Sequence, residues 1–233
     1  MMRIPDVPQR ERVQLRAAWA EALGVTATVF DGEGITWVAR DDLDVALVVE
    51  LGAAMVVAAP RAVLPALEHQ HRFTLRDADA IAALLPRSRA IGSSHLLFAT
   101  ARPAAPSHPV VVGDDRDLVK VREAVSPAEW DESGVEPMER HWAVREGGEP
   151  VAIAGYQRWR STIAHIGVVA TPLARGRGCA AAAATAAVCA AIDAGLVAQW
   201  RCRIGNAASL RLADRLGFTR IGAQSAVALA RWS

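Results

Sequence analysis

A β-branched run that breaks into a glycine–arginine loop, and then into a nearly unbroken alanine helix, occupies residues 163–191, IAHIGVVATPLARGRGCAAAAATAAVCAA. Ile163, Ile166, Val168 and Val169 have the character of a buried strand. Pro172 has no N–H to give and ends the ladder. Arg175-Gly176-Arg177-Gly178 follows, and the helix starts there. The first N–H groups of a helix lack internal partners and carry the positive end of its dipole. Glycines let an anion approach those groups closely, so the loop reads as a cradle for a phosphate or pyrophosphate. A tight turn with solvated arginines is the plain structural alternative, at about even weight on the loop alone.

Spacing separates two nucleotide readings. Gly176-Arg177-Gly178-Cys179-Ala180-Ala181 fits G-x-G-x-x-A, the dinucleotide fingerprint. That fingerprint needs its first glycine directly after the strand, and an acid about 20 residues on at the end of the next strand. Here residues 172–175 intervene, the next strand (198–204, AQWRCRI) holds no acid, and Asp193 falls at the helix end. A Rossmann-type NADP-dependent oxidoreductase is the weaker reading.

Arg175-Gly176-Arg177-Gly178-Cys179-Ala180 resembles R/Q-x-x-G-x-G/A, the pyrophosphate loop of the GNAT acetyltransferases. Asn206-Ala207-Ala208-Ser209 and Leu216-Gly217-Phe218 resemble the N-x-x-S … L-G-F ending of the same superfamily. The resemblance covers about residues 110–229, is sharpest over 164–218, and is to the two-part bacterial members with a C-terminal acetyltransferase half. It implies an α/β (α+β) fold, a mixed central sheet flanked by helices, with acetyl-CoA as co-substrate. It further implies pantetheine along the fourth-strand edge at Val168, Val169 and Ala170, held by the backbone of Val168 and Ala170. Pyrophosphate would lie on the amides of Gly176, Arg177, Gly178, Cys179 and Ala180, with Arg175 ahead of them. Asn206 would reach the pantetheine, and Ser209 belongs to the same motif; both also suit helix capping. The implied reaction moves an acetyl group from a thioester to a primary amine of a small molecule or protein. It needs a base, often through water, and an acid for the thiolate. Strand N–H groups would polarise the carbonyl.

The sequence departs from the family at two places. The tyrosine that serves as acid, four residues before the glycine of Gly-Phe, is Ala213 here. The single tyrosine, Tyr156, lies on the preceding hairpin and is the replacement candidate. His165 is a base candidate through its ordinary pKa, with Glu136 and Glu139 behind it; a packed strand histidine is its plain alternative. An inactive CoA-binding sensor stays open beside the enzyme. Second, only residues 218–230 remain for the two strands that follow Gly-Phe in the family. The N-terminal half, or a second chain, is expected to fill the gap.

The rest of the chain places this domain. With 233 residues, a smaller α/β part of unknown role is expected over 1–103 and the GNAT-like domain over 104–233. The first part reads as helix (10–23, with Gly24 as its stop), a strand pair (26–30 and 35–39) around 31–34, and two strands within 45–59. A helix from Pro60 to 68, a helix 75–85 capped by Thr74, and a strand 94–100 follow. It is expected to shape or cover the cleft, or to form a homodimer. Residues 101–109 (ARPAAPSHP) read as a linker or crossing segment. Beyond it come a strand (110–113), helices (115–125 and 127–133), and a hairpin (141–145 with 151–159). Asp131, Glu132, Glu136 and Glu139 read as a solvated acidic face rather than an amine site.

Net charge of +1 gives no bulk attraction to nucleic acid or membrane. The leading MMRIPDVPQRER has no apolar core for a signal peptide, and the run 45–59 is short and interrupted by Glu50. Cys179, Cys189 and Cys202 form no C-x-x-C pair, so free thiols in a reducing cytoplasm are expected. His69 and His71 lack partners at metal spacing and read as solvated; no metal is expected.

Overall fold

The computed structural model describes residues 7–230, so residues 1–6 of the leading stretch read above lie outside the described residues. The chain divides into two units. One takes the residues up to Leu97, Arg201–Ala207 and those from Arg220 on; the other takes Phe98–Trp200 and Ala208–Thr219. The division thus differs from a single cut at residue 103, because the C-terminal strand returns to the N-terminal part.

In the first unit, α1 (Gln9–Leu23) buries Leu15, Ala18, Trp19 and Leu23, and Gly24 ends it in the left-handed conformation at φ 73°. Then come β1 (Ile35–Ala39), β2 (Val45–Leu51) and β3 (Ala54–Ala59). β2 and β3 are the two strands expected within 45–59, and they pair antiparallel across Gly52. The strand expected over 26–30 is instead a turn of 3₁₀ helix over Ala27–Asp31 that buries Phe30. β1 has no need of it, since its ladder runs parallel to β3 from Ile35↔Met55 to Ala39↔Ala59. Helices α2 (Leu64–Glu68), α3 (Arg72–Leu75) and α4 (Ala78–Leu84) follow. Asp77, not Thr74, caps α4; its carboxylate accepts from the amides of Asp79 and Ala80 at 2.9 and 3.3 Å. Asp77 immediately precedes the helix, whereas Thr74 lies inside α3. His71 caps α3 through Nδ1, 3.2 Å from the Phe73 amide. The buried Glu50 is tolerated on β2 because Arg76 holds both its oxygens and Arg72 lies 3.6 Å away. Strand β4 (Ser88–Ala99) is longer than expected.

In the second unit, β5 (Val111–Val112), α5 (Asp115–Glu123), α6 (Pro127–Ser133), β6 (Arg140–Glu146), β7 (Glu149–Trp159), β8 (Ile163–Ala170), α7 (Cys179–Asp193), β9 (Val197–Arg203) and α8 (Ala207–Arg215) come in turn. The strands lie in the order β9-β8-β7-β6-β5, antiparallel except for β8 with β9. Directly paired residues share a face, and neighbours alternate. Ile153 and Val169 pack with Val121 of α5 and Trp130 of α6. The opposite face, with Ala152 and Ala154 fully buried, lies under α7. Alanine at 182, 183, 184, 187 and 191 keeps that helix close to the sheet. Its C-terminal turn is joined by an ion pair from Asp193 to Arg102. Its N-terminal Gly178 lies against Ser107 and His108. The proline-bearing segment 102–108 therefore runs antiparallel along α7. A 15-residue helix spans about 22 Å, which six residues of extended chain match at roughly 20 Å.

α5 is fastened by Asp117. It closes a capping box with Asp114 and takes the Arg145 guanidinium of β6 on both oxygens, at 3.0 and 2.9 Å. Burial pushes its carboxyl up, but Arg145 and the Asp114 amide outweigh this and hold it below the ordinary 3.8. A lowered folded-state pKa gives stability that is present above the unfolded value and is lost as pH falls from there through the folded one. The midpoint of thermal unfolding is expected to drop on acidification below about pH 4. Asp117→Asn should start lower at pH 7 and show a shallower drop in that window. Parallel acid profiles for the two proteins would remove Asp117 as the cause.

The chain ends with β10 (Thr219–Leu229), which returns to the first unit and pairs antiparallel with β2 from Gly222↔Leu51 to Ala228↔Val45. The first-unit order is β1-β3-β2-β10-β4. The Ile204 N–H donates to the Ser93 carbonyl of β4 at 2.9 Å.

Candidate functional site

β8 is where the ladder opens. Its parallel pairing with β9 runs from Ile163↔Val197 to His165↔Gln199 and stops, although β8 continues to Ala170. The Thr171 N–H donates to the Val151 carbonyl of β7, and the Thr162 carbonyl accepts from the Val197 N–H at the other edge, both at 2.9 Å. Backbone direction alternates along a strand. Odd residues of β8 therefore turn their backbone to β7, and even residues turn theirs away. The amides and carbonyls of Ile166, Val168 and Ala170 face the open edge, with Val168 and Ala170 half-buried. Val169 is not part of it: its backbone points to β7 and its side chain lies in the core with Trp130 and Ile153.

The edge leads directly to the loop. Residues Pro172–Ala174 form a 3₁₀ turn, and Gly176 and Gly178 both take positive φ, 75° and 88°. Side chains other than glycine resist that region. Gly178 is the N-cap of α7, and no side chain caps the helix. The space where a Cβ on Gly176 would sit is clear to 4 Å. The backbone amides around Gly178, Cys179 and Ala180 thus form the positive end of a 15-residue helix without a side-chain cap. The arginines do not hang free. Arg175 pairs with Glu129 of α6 at 2.8 Å and Arg177 with Glu146 of β6 at 3.0 Å. The cradle is therefore made of backbone, and each arginine is positioned by a carboxylate that sequence spacing did not point to. The Cys179 thiol lies beneath it, raised by burial first and by Glu146 second.

Asn206 stands ahead of α8, its amide bonded to the Arg203 carbonyl at 3.0 Å and its own carbonyl accepting from the Cys202 thiol at 3.3 Å. It belongs to the first unit. Ser209 sits inside α8 rather than at its cap, and its hydroxyl accepts from the Trp200 indole N–H at 2.9 Å.

Tyr156 and His165 are not brought together. Tyr156 pairs with Ile166 and His165 with Gln157, so the two side chains leave opposite faces of the sheet. Tyr156 is buried on the α7 face, stacked on Trp142 at 5.9 Å. His165 shares the other face with Gly167 and Val169. Glu136 has both oxygens engaged, by Arg122 at 2.9 Å and the Trp130 indole at 3.2 Å. Ala213 is fully buried, with its carbonyl accepting from the Phe218 amide at 3.0 Å.

Residues 112–218 match the model of the acetyltransferase (GNAT) family. A GNAT acetyltransferase domain occupies this stretch. Among solved structures, a GCN5-related N-acetyltransferase-like protein from Streptococcus suis is similar over 96% of this chain and 100% of its own, at 17% identity and TM-score 0.52. That likeness extends the shared fold through the N-terminal part. A GCN5-related N-acetyltransferase from Kribbella flavida is similar at 18% identity and TM-score 0.49, over 66% of this chain and 64% of that one. A GNAT-family acetyltransferase from Colwellia psychrerythraea matches at 14% identity and TM-score 0.48, over 61% and 57%. This chain thus spans under two thirds of those two proteins. A comparison with curated protein sequences finds no match.

The family model supports acyl transfer from an acyl-CoA in general. The dinucleotide reading falls with the sheet: a doubly wound fold needs parallel strands around the loop, and β8 lies antiparallel to β7 and is parallel to β9 for only a short run. No helix among the described residues is long and apolar enough to cross a membrane.

Proposed function

We propose that the protein is an N-acetyltransferase that moves the acetyl group of acetyl-CoA to a primary amine. The observation that carries this is the continuity of two backbone features. The open edge at Ile166, Val168 and Ala170 runs straight into the uncapped start of α7. An extended pantetheine amide chain suits the first, by strand addition. A pyrophosphate suits the second. Gly176, Arg177, Gly178, Cys179 and Ala180 form the pyrophosphate cradle in this reading, and Arg175 and Arg177 contribute charge from its rim.

In the reaction the amine nitrogen attacks the thioester carbon, the C–S bond breaks, the amine loses a proton and the thiolate gains one. An amide facing the open edge is placed to donate to the carbonyl oxygen as it gains charge. Tyr156 and His165 leave opposite faces, so one of them at most serves a single amine. A water handles the other proton step.

Titration calorimetry with acetyl-CoA, CoA and NADPH side by side tests the binding half. Acetyl-CoA and CoA are expected to bind, and NADPH is not. Thiol release across a panel of small amines and an N-terminal peptide tests the chemistry. Binding with no thiol release from any amine would reduce the protein to an acyl-CoA-binding sensor. No binding of acetyl-CoA would end the proposal.

A further inference from the structure

Beside the loop, three side chains from three separate segments converge. His108 comes from the segment along α7, Glu146 from the end of β6 and Cys179 from the first turn of α7; their ligand atoms all lie within 4.8 Å of one another. The Cys179 Sγ to Glu146 Oε1 distance is 3.7 Å. A thiolate and a carboxylate oxygen on one tetrahedral zinc ion stand roughly 3.6 Å apart, given Zn–S near 2.3 Å and Zn–O near 2.1 Å. The Ser107 hydroxyl lies 3.0 Å from His108 Nδ1 and helps to orient the ring. The Arg177 guanidinium touches the same Glu146 oxygen at 3.0 Å, but its side chain is 55% exposed and free to swing to solvent.

We infer that His108, Glu146 and Cys179 form a binding site for a zinc-class divalent cation at the start of α7. Thiolate, imidazole and carboxylate together select zinc over magnesium or calcium, which prefer all-oxygen sites. Three protein ligands leave a fourth position for water. The cation replaces the Cys179 proton and the Arg177 contact, so net charge around Glu146 stays balanced. It also ties the segment 102–108 to the helix it runs along. The site does not rest on the acyl-CoA reading, because no ligand atom is a cradle amide.

The test uses the metal alone on chelator-treated full-length protein. Cobalt(II) is expected to give a thiolate charge-transfer band with tetrahedral visible bands, and zinc is expected to bleach them. Cys179→Ser should abolish the charge-transfer band. His108→Ala, on a half-exposed segment, should fold normally and bind zinc at least about tenfold more weakly. Cys189→Ser should leave both unchanged. A wild-type protein without the thiolate band, or a folded His108→Ala protein with wild-type zinc affinity, overturns the site whatever becomes of acetyl-CoA binding.

Discussion

Ala180→Glu is expected to weaken acetyl-CoA binding by about 100-fold, equivalent to about 2.8 kcal/mol, while leaving the unfolding midpoint essentially where it was. Ala180 is the second residue of α7 and is half-buried at the loop. A carboxylate in the first turn interacts favourably with the helix dipole, by about 0.3–1 kcal/mol, so the fold has no reason to suffer. A pyrophosphate on the neighbouring amides meets that same carboxylate as a like charge. At about 4 Å and an effective dielectric of about 20, the repulsion is about 4 kcal/mol, less whatever the side chain relieves by swinging away. The distinguishing control is Ala180→Gln, which has the same size and no charge. Glutamine should retain most of the affinity, and the glutamate deficit should shrink as salt is raised. Equal losses for the two variants would mean that bulk, not charge, is felt at the loop. Unchanged affinity in Ala180→Glu would place the anion elsewhere and remove the cradle from the proposed function.

What the sequence shows of this site is what lies within one segment. The strand, the turn and the alanine helix of residues 163–193 are all local: β-branched residues, then Pro172, then glycines at positive φ, then a run without a helix breaker. The glycine turn and the helix start are therefore legible, and so is the hairpin of β6 and β7. The open edge was not. Nothing in the residues of β8 or β9 marks where their pairing ends at His165↔Gln199; that depends on the course of two strands that meet across a helix. Val169 shows the same limit. It reads as equivalent to Val168 until the register assigns its backbone to β7. Tyr156 and His165 sit on different strands, and the three-residue connection between Trp159 and Ile163 sets whether they share a face. Arg160 and Ser161 take positive φ there, 50° and 62°, without a glycine to announce it. The cluster of His108, Glu146 and Cys179 joins segments far apart in the chain, so no spacing rule reaches it. The proline-bearing stretch 101–109 was legible as a crossing segment, but not that it crosses along α7. In the first unit the same reason explains residues 26–30: their apolar β-branched character suits a strand, but β3 already supplies the partner of β1.

Gly167→Ala is expected to cost about 3 kcal/mol, lowering the unfolding midpoint by roughly 6–12 °C for a chain of this length. Gly167 lies directly opposite Gly155 across β7 and β8, on the face that carries α5 and α6. A Cβ on Gly167 would stand 2.8 Å from three atoms: the carbonyl oxygens of Ser133 and Gly134, and the Met138 methyl. The methionine end can move, but the two carbonyls belong to the end of α6 and can yield only if the helix shifts. A Cβ on Gly155 would stand 2.4 Å from the Arg140 carbonyl and 2.9 Å from Met138 Cβ. The two glycines therefore make one notch in the sheet, bounded by residues 133–140 and shared through Met138. Because they share that occupant, Gly155→Ala and Gly167→Ala should be less than additive: once the segment has been pushed out, the second methyl meets less resistance. Gly147→Ala is the comparison, since nothing lies within 4 Å of its Cβ position and only its left-handed backbone, at about 1–2 kcal/mol, resists the change. The notch also bears on binding. Ile166 and Val168 flank Gly167, and their amides form the open edge, so a shift of β8 that relieves the clash moves those donors. A Gly167→Ala protein kept folded at low temperature should bind acetyl-CoA more weakly than wild type. A midpoint within a degree of wild type, measured beside Gly147→Ala, would mean that residues 133–140 do not bound the notch.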